Sequence, residues 1–168
     1  MEFLFNFFVY GFIGWIIENI FCYYIHGHFQ KDGFLKGPFK PMYAIAMPLI
    51  IELYKVVPNL IFLFIISLII PTSVEYITGF IMRKYFKKDY WDYTKEKYNY
   101  QGIICLRFSI IWILLSIIDV KIIQPYFIYR IFNSIYEIWP SISILFIIAL
   151  SIDEILTFID FRKGSQTI

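Results

Sequence analysis

Five ionisable side chains fall inside or at the ends of long apolar runs: Glu18, Glu75, Arg107, Asp153 and Glu154. A charge within hydrocarbon is costly, so such groups face protein or a water-filled cavity and pair with one another. Glu18 lies in the run 3–24, Glu75 near the end of 58–82 and Arg107 near the start of 102–120. Asp153 and Glu154 come late in 141–161. If these runs are membrane helices of alternating direction, the charges share one depth. Two readings follow. In the first they form a polar pocket: Arg107 pairs with Glu18 or Glu75, and the remaining carboxylate binds a cation, a proton or a polar substrate. The substrate-binding residues are then Glu18, Glu75, Arg107 and Glu154. In the second they are an ion-pair clamp that fastens the bundle and binds nothing.

Two connecting segments stand beside this layer. Residues 31–43 read KDGFLKGPFKPMY. Gly33 and Gly37 admit backbone conformations that other residues avoid. Pro38 and Pro41 stiffen the chain and forbid helix, while Phe34, Leu35 and Phe39 supply apolar anchors. Residues 83–100 read RKYFKKDYWDYTKEKYNY, aromatics interleaved with charges as at the headgroup level of a bilayer. The first segment is either a structural turn or a docking element that a partner grips together with the second. On the docking reading the contact residues are Gly33, Phe34, Leu35, Gly37, Pro38, Trp91, Asp92, Tyr93 and Asn99.

The elements that must position these residues follow from composition. Of 168 residues, 60% are hydrophobic, 22% aromatic and only 17% charged. Soluble domains run to about 25% charged, and a fold this small leaves too much surface in water to hide so many apolar side chains. The expectation is an all-α integral membrane protein forming one domain over 1–168. The runs predict five transmembrane helices, at about 3–24, 41–55, 58–82, 102–120 and 141–161, the second short or re-entrant because it carries Pro48 and Glu52. Residues 126–139 predict an amphipathic interfacial helix, with Arg130, Asn133, Ser134 and Glu137 on one side.

Basic residues orient the spans. With five spans and the N-terminus outside, Lys31, Lys36, Lys40, Arg83, Lys84, Lys87, Lys88, Lys95, Lys97, Arg162 and Lys163 are cytoplasmic. Only Lys55, Lys121 and Arg130 are external. The opening Met1-Glu2-Phe3 lacks a basic stretch and a small-residue cleavage site, so the first apolar run is expected to be retained.

Other classes are excluded or disfavoured. The net charge of +2 is too balanced for a nucleic-acid binder. The sequence has no P-loop, GxGxxG, GxSxG or HExxH pattern. Cys22 and Cys105 read as buried thiols, and His26 with His28 as interfacial histidines; no metal or cofactor is expected. Asp92 has no obvious catalytic companion, so the chain is not expected to be an enzyme.

Several of these pieces, in this order, resemble one bacterial membrane-protein family, Putative ABC-transporter type IV. They are Gly11 and Glu18, then Gly33-Phe34-Leu35-Lys36-Gly37-Pro38 with Pro41 and Tyr43. Glu75-Tyr76, Trp91-Asp92-Tyr93, Asn99, Gly102 and Cys105-Leu106 follow. The pieces span about 9–118. Asp32, Ala44 and Ile103 depart from the family's usual basic residue, glycine and arginine. The resemblance implies a multi-span permease of the bacterial cytoplasmic membrane. On that footing the expected function is a subunit of an ABC-type transport system that binds a polar or cationic substrate at the charged layer. Its partners would be membrane lipid, a separate ATPase subunit and further copies of itself. The alternative is a non-transporting scaffold or regulator that holds a partner on the same loops.

Overall fold

The computed structural model describes residues 1–29 and 33–164. Lys31 and Asp32, at the head of the 31–43 loop, lie outside the described residues. The chain forms α1 (Glu2–His26), α2 (Pro41–Val56) and α3 (Leu60–Ile81). A small antiparallel hairpin of β1 (Asn99–Tyr100) and β2 (Ile104–Cys105) follows, pairing Asn99 with Cys105 and Tyr100 with Ile104. Then come α4 (Leu106–Ile118), α5 (Tyr129–Ile135) and α6 (Trp139–Gly164).

Local chemistry sets the helix ends. The Asn59 side chain accepts from the Ile61 N–H at 2.8 Å and the Phe62 N–H at 3.2 Å, capping α3. Pro41 opens α2, where its missing N–H is not needed. Gly27 closes α1 in the left-handed region at φ 74°, its N–H reaching the Tyr23 carbonyl at 2.8 Å.

Among the described residues, three helical stretches are long and apolar enough to cross a membrane: Glu2–His26, Leu60–Phe86 and Trp139–Arg162. They correspond to the first, third and fifth expected spans. The second, α2, has 16 residues, and α4 has 13; at about 1.5 Å per residue both fall short of a hydrocarbon core of about 30 Å. α4 does not stop at Ile118, however. It continues through a π-helical segment, Asp119–Ile128, into α5. The expected separate interfacial helix at 126–139 is therefore mostly the far part of one helical run from Leu106 to Ile135. Its last residues belong instead to a turn and to the start of α6.

α2 lies between α1 and α3, and α3 between α2 and α4. Ile50 and Leu63 are fully buried where α2 meets α3. At the amino end of α1, Phe5 packs edge-on to Trp139 at 5.1 Å and against Phe132 at 5.3 Å, tying α5 and α6 to the bundle. Lys55 clasps α1 to α2 there, at 2.7 Å from Glu2 and 2.9 Å from Glu52. Outward faces carry large apolar side chains, such as Ile61 at 72% and Leu145 at 67% exposure. Apolar surface this extensive belongs against lipid or another chain, not water. The molecule is a multi-pass membrane protein.

Candidate functional site

α1 presents Gly11, Gly14 and Glu18 on one face, at spacings of three and four. A Cβ at Gly11 would collide with the Phe39 ring, and one at Gly14 with the Tyr43 ring. The bare glycines let the segment 33–40 and the start of α2 press onto the α1 backbone. The Lys40 N–H donates to the Gly11 carbonyl at 2.9 Å. The same close approach brings the Lys40 ammonium onto the Glu18 carboxylate as an ion pair, with the side chains 12% and 25% exposed.

The 33–40 segment is held from its other side by α6. Asp153 accepts from the Lys36 N–H at 3.1 Å and the Gly37 N–H at 3.0 Å. Lys36 also pairs with Asp160 at 2.5 Å. Phe34 packs among Phe86, Tyr90, Phe158 and Phe161, with ring centroids 5.3 to 6.3 Å away. Leu35 is buried.

On α3 the buried face runs through Pro71, Glu75 and Gly79. Gly79 has room for no Cβ, because Ile103 and Trp91 lie against it. The Trp91 indole N–H donates to the Ile103 carbonyl at 2.8 Å, locking the 87–98 loop to the hairpin. Asn99 supports this loop from within. It donates to the Glu96 carbonyl at 2.8 Å and accepts from the Gly102 N–H at 3.1 Å. Loop and hairpin together deliver Tyr93, whose hydroxyl donates to Glu75 Oε1 at 3.0 Å. Burial, reinforced by the neighbouring carboxylate of Glu75, pushes the Tyr93 phenol far above its ordinary range, so it remains a donor. Glu75 itself is 4% exposed, and its Oε2 has no hydrogen-bond partner among the described residues.

These parts line a partly open cavity of about 870 Å³ at the loop-rich end of the bundle. α1 lends Glu18, Phe21 and Cys22 to its wall; the 33–43 segment lends Phe34, Phe39, Lys40 and Tyr43. α3 contributes Glu75 and Thr78, the loop contributes Trp91, Asp92, Tyr93 and Glu96, and α4 contributes Arg107, Phe108 and Trp112. Glu18, Glu75 and Arg107 thus share one chamber. The expected pairing of Arg107 with Glu18 or Glu75 does not form. Arg107 reaches Glu96 at 3.1 Å, Glu18 takes Lys40, and Glu75 takes Tyr93. Glu154 is exposed on α6 and outside the cavity wall; its neighbour Asp153 holds the loop. Of the residues expected to dock a partner, Phe34, Trp91, Asp92 and Tyr93 line the cavity. Leu35, Gly37 and Asn99 are engaged within the chain.

A second polar cluster lies toward the opposite end, and nothing in the charge pattern of the sequence singled it out. The Tyr10 hydroxyl lies 2.9 and 2.8 Å from the two Asp119 oxygens and 2.7 Å from Gln124 Oε1. Gln124 Nε2 reaches Asn6 Oδ1 at 3.4 Å. All four residues are buried. Asn6 and Tyr10 are one turn apart on α1, a spacing visible in the sequence. Asp119 and Gln124 are five apart and converge because the backbone there is π-helical.

The sequence profile of the family Putative ABC-transporter type IV matches residues 5–158. The chain belongs to this family and is an ABC-transporter-related membrane protein. The match extends past the motif pieces at 9–118 and takes in most of α6, whose Asp153 holds the Gly33–Pro38 loop. Comparison with curated proteins and with solved structures gives no match.

Proposed function

We propose that the chain is the membrane subunit of an ABC-type transport system of the bacterial cytoplasmic membrane, and that it takes up a polar or cationic substrate in the cavity around Glu18 and Glu75. One observation carries this reading. Charged groups from α1, α3 and α4 line a single chamber of about 870 Å³, within the range of about 300–1,000 Å³ that small-molecule sites occupy. In this reading α2 and α4 complete five spans, with the N-terminus outside and the loop-rich end cytoplasmic. The chain hydrolyses no ATP. A separate ATPase docks on the surface built from the 31–41 and 83–100 segments, and further copies of the chain complete the pathway. The ties of Lys36 and Gly37 to Asp153 and of Trp91 to the hairpin suit a docking surface.

The test is purification of the chain from its native membrane in mild detergent, with ATP hydrolysis as the readout. ATPase activity that co-purifies with the chain and falls with Phe34→Ala or Tyr90→Ala supports the proposal. A folded chain that brings down only a non-ATPase partner contradicts it and indicates a scaffold instead.

A further inference from the structure

We infer that the cavity is built for a monovalent organic cation with an apolar body, its charge resting beside Glu75. The inference rests on the reading of the cavity as a substrate site and narrows its ligand. The cavity-lining charges are Glu18, Glu75, Asp92 and Glu96 against Lys40, Lys95 and Arg107, one acid in excess. Two of these acids hold ion-pair partners: Glu18 has Lys40 and Glu96 has Arg107. Asp92 is exposed and accepts from both the N–H and the hydroxyl of Thr94. The uncompensated charge is therefore that of Glu75, a cavity-lining residue that no ion-pair partner meets among the described residues and that has only the neutral donors of Tyr93 and Trp112 beside it.

The surroundings of Glu75 are aromatic. Tyr43 and Trp112 form one pair, with centroids at 4.6 Å, and the Trp112 indole lies beside the carboxyl. Tyr93 and Phe108 stack as a second pair at 4.7 Å and 16°, held to Glu75 through the Tyr93 hydroxyl. All four rings line the cavity. Ring faces attract a cation and reject an anion, and more strongly where water is excluded. A small hydrated metal ion would leave most of so wide and apolar a chamber unfilled, and no group of three or more metal-binding side chains exists among the described residues. An organic cation satisfies both the carboxylate and the rings.

Tetraphenylphosphonium and tetraphenylborate test this, since they share a shape and carry opposite charges. Binding to the purified full chain is measured by equilibrium dialysis against empty micelles, with quenching of tryptophan fluorescence as a second readout. The expected result is saturable binding of the phosphonium, with Glu75→Gln weakening it by about tenfold or more. Gln retains an acceptor for Tyr93, so this variant should fold; Glu75→Asp should restore part of the affinity, and a thermal melt checks both. Borate binding as tight as phosphonium binding, or phosphonium binding indifferent to Glu75→Gln, would overturn the cation class and leave the cavity a ligand site. Failure of both ions to bind would overturn the substrate-site reading as well.

Discussion

Glu75 accepts a hydrogen bond from Tyr93, where an ionised carboxylate can accept several. Tyr93→Phe removes that donor from a buried acid and should lower stability by about 1–3 kcal/mol, read from unfolding in detergent. Combined with Glu75→Leu the losses should fall short of additive, because the two groups serve one interaction. Asp92 makes a pH prediction. Donation from the Thr94 N–H, then from its hydroxyl, holds its carboxyl below the ordinary range. The ionised form therefore supports the loop above the unfolded value of about 3.9, and that support disappears as pH falls through the lower folded value. Protease protection of the 87–98 loop should hold at neutral pH and decline below about pH 4, and Asp92→Asn should make it independent of pH. Sequence alone exposed Glu18, Glu75 and Arg107, because a charge inside an apolar run is conspicuous. Their partners were not legible. Lys40, Tyr93 and Glu96 sit in connections that look like ordinary solvated loops until the fold brings them back. Asp119 escaped because it stands where an apolar run ends.

Helix–loop packing explains Gly11 and Gly14 better than flexibility does. Gly11 and Gly14 are contact surfaces for Phe39 and Tyr43. Gly11→Val should cost about 1–3 kcal/mol through overpacking, and Phe39→Ala should recover part of that loss while opening the cavity wall. Capping is a separate lever: Asn59→Ala should destabilise α3 by about 1 kcal/mol, measured the same way. The length of the apolar runs located α1, α3 and α6 well. It misread 102–139, where a π-helical segment containing Pro125 fuses the expected span to the expected surface helix. In such a segment residues five apart share a face, so a search at 3.6-residue spacing separates Asp119 from Gln124 although both meet Tyr10.

Over the whole molecule, polar groups are concentrated at the loop-rich cavity and at the Tyr10–Asp119 cluster, while apolar side chains cover the outside. The orientation proposed above makes the loop bearing Lys88 cytoplasmic. Lys88→Cys should then react with a membrane-impermeant maleimide in inverted vesicles and not in right-side-out ones. The most direct test of the account asks whether the chamber around Glu75 is wet and selects cations. Thr78 lines it one helical turn from Glu75, whereas the adjacent Ile77 is 55% exposed and outside the wall. In a chain carrying Cys22→Ala and Cys105→Ala, the thiol introduced by Thr78→Cys should react with a cationic methanethiosulfonate much faster than with an anionic one of similar size. The thiol introduced by Ile77→Cys should react with neither while lipid surrounds it. Equal rates for the two reagents at position 78, or no reaction there until the protein is unfolded, would contradict the account.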